Sequence, residues 1–174
     1  MKKIMFNDKF FLTEKVLSGS KTQTRRIITC NVLSKMEDLS MMNERRCYEE
    51  IIRLYSRYKI NEIVAIAQRY KDVASDLPLG GYDELINQRG WNNKMFVKAE
   101  MMPHRLRITN ICIERLQEIS YNDCLAEGIV LAYENIRSEV RAKLAYAYLI
   151  DQISGNGTWC ANPYVFVYEF ELIK

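Results

Sequence analysis

Residues Tyr164 to Leu172 read Tyr-Val-Phe-Val-Tyr-Glu-Phe-Glu-Leu, with aromatic residues at 164, 166, 168 and 170 and Val165 and Val167 between them. Successive side chains of a strand point to opposite faces, so both faces of this one are apolar at its start. A strand of that kind belongs inside a sheet, covered on both sides, and Glu169 and Glu171 mark where the second face reaches water. The run Arg105 to Glu114 also alternates, but its apolar phase slips near Thr109-Asn110. That slip predicts a long strand with a bulge, from which Arg105 and Arg107 project on one side.

Shorter strands are predicted at Lys3 to Phe6, Ile63 to Gln68 and Met95 to Val97. A helix is expected from Asn7 or Asp8 to about Ser18, with Gly19 as its stop. Helical spacing predicts another from Glu44 to about Tyr58, with Cys47, Ile51, Leu54, Tyr55 and Tyr58 inward. A longer helix from about Glu134 to Ile153 would turn Ile136, Val140, Leu144, Ala147 and Tyr148 inward. Ser120 and Asp123 form a capping-box pattern, so a short helix begins at Tyr121 and ends at Gly128. Residues 29–43 are polar, Met-rich and weakly periodic, and read as a loop. Pro78, Gly80 and Gly81 break a second irregular segment. With 174 residues and neither repeat nor linker, residues 1–174 form a single domain, interrupted by insertions at about 29–60 and 71–93.

The balance of 25 basic against 22 acidic residues gives no uniform nucleic-acid signature, so any such role must rest on local clusters. Five cysteines without a C-x-x-C pair and a lone His104 fall short of the roughly four spaced ligands of a structural zinc site, so no metal is expected. An odd, unpatterned set of thiols reads as reduced and cytoplasmic. The N-terminus turns polar too soon for a secretory segment, and no run approaches ~18 apolar residues, so no membrane association is expected.

The polar stretch with most chemical content is Gly19 to Ile28, Gly-Ser-Lys-Thr-Gln-Thr-Arg-Arg-Ile-Ile. Gly-Ser permits a turn out of the first helix, and the alternation that follows suits a strand. Regular alternation puts Thr22, Thr24 and Arg26 on one face and Lys21 on the other, so Lys21 and Thr24 act together only if the chain bends at or just after Lys21. Glu127, in the last turn of the short helix, opposes the macrodipole there. A functional role and a plain surface position both remain open for it.

Several of these pieces together resemble the ASCH family of PUA-like domains. Gly19-Ser20-Lys21-Thr22-Gln23-Thr24-Arg25-Arg26 is similar to that family's Gly-x-Lys-x-x-(Thr/Glu)-x-Arg signature, placed directly after the first helix. Leu116 to Ser120 with Ala126-Glu127-Gly128, and Trp159 through Asn162-Pro163 to Phe170, resemble later segments of the larger phage- and prophage-type members. The chain departs from those relatives at Asn61-Glu62, where they carry Gly-Asp, and at Ala65 to Tyr70.

The resemblance implies an α+β fold built on a small mixed β-barrel of PUA type, decorated with helices. It also implies that Lys21, Thr24 and Glu127 are the catalytic residues of a metal-independent amidohydrolase, needing no cofactor, that removes acetyl from N4-acetylcytidine-type nucleosides. Thr24 would attack the acyl carbonyl with Lys21 as base; alternatively Glu127 activates a water while Lys21 stabilises the oxyanion. In other PUA-like domains the same cleft only binds RNA. Thr22, Arg25, Arg26 and Arg107 are the candidate contacts to a nucleoside or RNA, with Tyr70 or Trp91 as a stacking platform. A third expectation is a phage-derived accessory protein that acts through a protein partner.

Overall fold

The computed structural model describes residues 1–39, 43–76, 82–131 and 138–173. Five strands, β1 (Lys3–Ile4), β2 (Gln23–Ile27), β3 (Ile63–Ile66), β4 (Arg105–Arg115) and β5 (Tyr164–Ile173), form one sheet in the order β1-β3-β4-β5-β2. Only the β1–β3 pair is parallel. The helices are α1 (Leu12–Leu17), α2 (Cys30–Asp38), α3 (Glu44–Tyr55), α4 (Tyr82–Ile86), α5 (Tyr121–Ala126), α6 (Ser138–Ser154) and α7 (Thr158–Ala161).

The pattern of Tyr164 to Leu172 accounts for the layering. Phe166, Tyr168 and Phe170 pack in a core with Val16 and Ile51, whereas Val165 and Val167 pack in a second core with Cys124, Tyr146 and Ile150. As a result β5 is covered by α1 and α3 on one face and by α5 and α6 on the other. Strand β3 divides the same way, with Val64 and Ile66 in the first core and Ala65 and Ala67 in a third, beside Tyr70 and Met102. The expected bulge is present: the register between β4 and β5 shifts between Ile108 and Asn110.

The expected barrel is not. β2 ladders only with β5 and β1 only with β3, which leaves the sheet open at both edges. The edges are linked by a side chain, Arg26 Nη2 donating to the Met5 carbonyl at 2.6 Å, where closure needs a main-chain ladder. A first strand of two residues offers too few donors and acceptors to make one. The α+β class stands, and the PUA-type barrel is replaced by an open sheet.

Other corrections are local. Residues 30–38 form α2 rather than a loop, because Val32, Leu33 and Met36 pack onto the first core. Met95 lies in a 3₁₀ turn rather than a strand, and Lys3 Nζ donates to the Met95 and Val97 carbonyls at 2.6 Å. The first helix is broken at Phe11, whose φ of 55° is left-handed. In α6 the buried positions are Ser138, Ala142, Tyr146 and Ile150, while Val140, Leu144 and Tyr148 are exposed. Its apolar residues run almost all the way round, so spacing alone fits two faces. The expected start of that helix with Ile136, and the breakers Pro78, Gly80 and Gly81, lie outside the described residues. Among the described residues no helix is long and apolar enough to cross a membrane.

Candidate functional site

Gly19, at φ 77°, ends α1 and turns the chain back, so that the Lys21 amide donates to the Lys15 carbonyl and the Thr22 amide to that of Ala126. Strand β2 begins only at Gln23, which frees Lys21 from strand alternation. This is the bend that Lys21 and Thr24 need in order to face one site. The Lys21 side chain is 1% exposed, and its Nζ donates to Glu127 Oε2 at 2.5 Å, to the Gln23 carbonyl at 2.6 Å and to the Glu127 carbonyl at 2.9 Å. Those three bonds match the three donors of an ammonium.

Glu127 is placed by its own local sequence. The Ser120–Asp123 capping box starts α5, the helix closes at Glu127, and Gly128 continues in the left-handed region at φ 91°. The carboxylate that works against the helix macrodipole is held instead by two cations, Lys21 through Oε2 and Arg25 Nη1 at 3.2 Å through Oε1. Arg25 is equally committed. Its Nε lies 2.8 Å from Glu114 and its Nη2 3.4 Å from Asp123, with the side chain 1% exposed. Burial works against the guanidinium charge, but Glu127 and Glu114 more than offset it and its pKa rises. For Lys21, burial outweighs the pull of Glu127 and the pKa falls below the usual lysine range.

These groups line a cavity of about 170 Å³ together with Thr24, Phe6 and Tyr146. Thr24, opposite Tyr168 in the β2–β5 register, is buried, and its hydroxyl makes no hydrogen bond among the described residues. The Tyr146 hydroxyl is fully buried with no partner among the described residues, and burial beside the Glu127 carboxylate pushes its pKa well above the usual phenol value. A buried hydroxyl left unpaired costs about 1–3 kcal/mol, which a ligand with a suitable acceptor would recover. The cavity is smaller than the ~300–1,000 Å³ of drug-sized ligand sites, and suits a single ring with a short substituent.

The structure thus brings Lys21, Thr24 and Glu127 together, with Arg25 behind them and exposed Arg26 at the rim. Thr22 is exposed and outside the cavity. Arg107 pairs with Glu171 at 3.0 Å on the far part of β4 and β5. Tyr70 is fully buried in the third core, its hydroxyl accepting from the Lys98 amide at 2.9 Å. His104 Nδ1 lies 2.8 Å from Gln68 Oε1, again outside the cavity. Tyr146 was missed because the wrong face of α6 was turned inward; the spacing of Ala142, Tyr146 and Ile150 is the signal that finds it. Among the described residues no group of three or more His, Cys, Asp or Glu is arranged to hold a metal ion, and all five cysteines are free.

No family model matches this chain, and no curated protein matches it. Among solved structures, protein EF3133 from Enterococcus faecalis V583, described as family DUF984, is similar at a TM-score of 0.42 and 14% identity. The alignment takes in 93% of this chain and 66% of the other, so the chain spans just under two thirds of that protein's length.

Proposed function

We propose that this chain is an ASCH-like amidohydrolase whose cavity cleaves the amide of an N-acylated pyrimidine nucleoside of the N4-acetylcytidine type. The observation that carries the reading is the meeting in one ring-sized cavity of a buried Lys21–Glu127 pair, Thr24, and a Tyr146 hydroxyl with no partner among the described residues. Amide hydrolysis needs a nucleophile, a base and a donor for the developing oxyanion, and these groups supply one of each.

Burial lowers the Lys21 pKa, so its neutral amine is the form that serves as base. This amine leaves the Gln23 carbonyl and accepts the Thr24 hydroxyl proton as the threonine oxygen bonds to the acyl carbon. Tyr146 donates to the oxyanion. The C–N bond then breaks, Lys21 returns the proton to the departing exocyclic nitrogen, and the acyl group stays on Thr24. Water, giving its proton to Lys21, attacks the ester; Thr24 leaves with that proton, and the carboxylic acid is released. Arg25, fixed by Glu114 and Asp123, holds Glu127 in place as a positioning residue.

The experiment is cytidine release from N4-acetylcytidine by the purified chain beside its Lys21→Ala, Thr24→Ala and Glu127→Gln variants, each checked for folding by circular dichroism. Wild type should turn over, with losses of about 10²–10⁴-fold in the folded variants. A folded wild type that releases no cytidine removes the reading. Activity retained by Thr24→Ala but lost in Glu127→Gln would instead make Glu127 the base for a water.

A further inference from the structure

A second cavity of about 340 Å³ lies between the open edges of the sheet, walled by Lys3 and Met5 from the β1 side, Arg26 and Ile27 from β2, and Arg57 after α3. Tyr55, Tyr58, Phe166 and Tyr168 make its aromatic lining. It adjoins the smaller cavity, with which it shares Arg26 and Ile27.

Three cations face this space, and none of the described lining residues is Asp or Glu. Lys3 spends donors on the Met95 and Val97 carbonyls, and Arg26 spends Nη2 on the Met5 carbonyl. The Arg57 guanidinium lies over the Tyr58 ring, 5.8 Å from its centroid, and makes no hydrogen bond or ion pair among the described residues. Its backbone, however, is held: the Arg57 amide donates to the Tyr168 hydroxyl at 3.2 Å, and Lys2 Nζ donates to the Arg57 carbonyl at 2.6 Å. A tethered guanidinium with its donors unspent faces two further cations across a cavity whose described lining carries no carboxylate. Burial first, and then the Arg57 charge, lower the Lys3 pKa.

We propose that this cavity binds a phosphate carried on an aromatic base, that is, a nucleotide unit, with the phosphate between Arg57 and Arg26 and the ring against Tyr55 and the aromatic lining. Guanidinium forks match phosphate oxygens, and an aromatic wall accepts the face of any base. The volume lies within the range of sites for ligands of nucleotide size, whereas the smaller cavity holds only a ring. The aromatic lining argues against a plain inorganic anion, and the absence of carboxylates argues against a cationic ligand. This site uses none of the groups given a chemical role in the proposed amide cleavage, and stands or falls without it.

The test is calorimetric titration of the full chain with cytidine 5′-monophosphate, cytidine, inorganic phosphate and the dinucleotide CpC, repeated on Arg57→Gln and Tyr55→Ala. Both substituted residues are exposed and outside the smaller cavity, so the variants should fold, and a melting curve verifies it. The monophosphate should bind at least about tenfold tighter than cytidine or phosphate alone. Arg57→Gln should weaken it by about tenfold to a hundredfold, the worth of charged hydrogen bonds. Tighter binding of CpC than of the monophosphate, lost with Arg57→Gln, supports the site with a strand as the source; the reverse order supports a free nucleotide. Equal affinity for cytidine and its monophosphate, or an Arg57→Gln variant that binds as wild type, overturns the proposal.

Discussion

Lys21 Nζ and Glu127 Oε2 lie 2.5 Å apart although 106 residues separate them in the chain, and both side chains are buried. The contact ties the turn after the first helix to the end of α5. It also concentrates charge where water is excluded, since Arg25 adds a second cation on the same carboxylate at 3.2 Å. Removing a charge from such a group is costly in proportion to what it leaves unpaired.

Glu127→Gln should therefore be the more damaging substitution of the pair. It leaves the Lys21 ammonium and part of the Arg25 guanidinium facing a neutral amide, at a cost of about 3–5 kcal/mol. For a chain of this size that lowers the melting temperature by about 6–20 °C. Lys21→Met removes the buried ammonium itself and leaves Glu127 paired with Arg25, so its loss should be smaller. Thermal melts of the two variants at neutral pH decide the matter; a Glu127→Gln melt within about 2 °C of wild type would show that the pair is not buried as described.

Tyr146→Phe should separate stability from activity. The hydroxyl it deletes has no partner among the described residues, so its removal costs none of their hydrogen bonds and relieves about 1–3 kcal/mol of desolvation. If that hydroxyl holds the oxyanion, the deacylation rate should fall by about 10²–10³-fold in a protein that melts no lower than wild type. A variant with undiminished turnover removes Tyr146 from the chemistry, whatever its melting temperature.

The elements that the sequence made legible are those specified twice. β5 was readable because aromatic and valine faces each demanded a core, and the β4 bulge because its apolar phase slips at Thr109-Asn110. The α5 start was written in Ser120 and Asp123, whereas the unfavourable place of Glu127 left a functional role and a plain surface position both open. What stayed illegible depended on distant partners. Nothing local to Arg25 says that Glu114, Asp123 and Glu127 enclose it, and nothing in Tyr70 says that it belongs to the third core. Barrel closure is a property of two edges meeting, and no single strand carries it. The face of α6 was ambiguous because Ala-Tyr-Ala-Tyr-Leu-Ile is apolar on all sides.

Alkaline pH should weaken the fold through two thiols. Burial pushes the Cys112 and Cys124 thiols from 9.0 up to about 11. Below pH 9 both folded and unfolded chains keep these protons. Between 9 and 11 the unfolded chain releases them while the folded chain does not, so the unfolded state binds fewer protons and stability falls as pH rises. Lys21 works in the opposite direction: its pKa is lowered on folding, so its burial penalty is relieved as pH approaches 10.5. The wild-type curve also carries the raised Tyr146 phenol and the lowered Lys3 ammonium, so a Cys112→Ala/Cys124→Ala variant is needed to isolate the thiols. In urea titrations from about pH 8 to about pH 11, the stability advantage of wild type over this variant should shrink steadily. Two curves that stay parallel across that range would mean that the thiols ionise as easily in the folded chain as in the unfolded one.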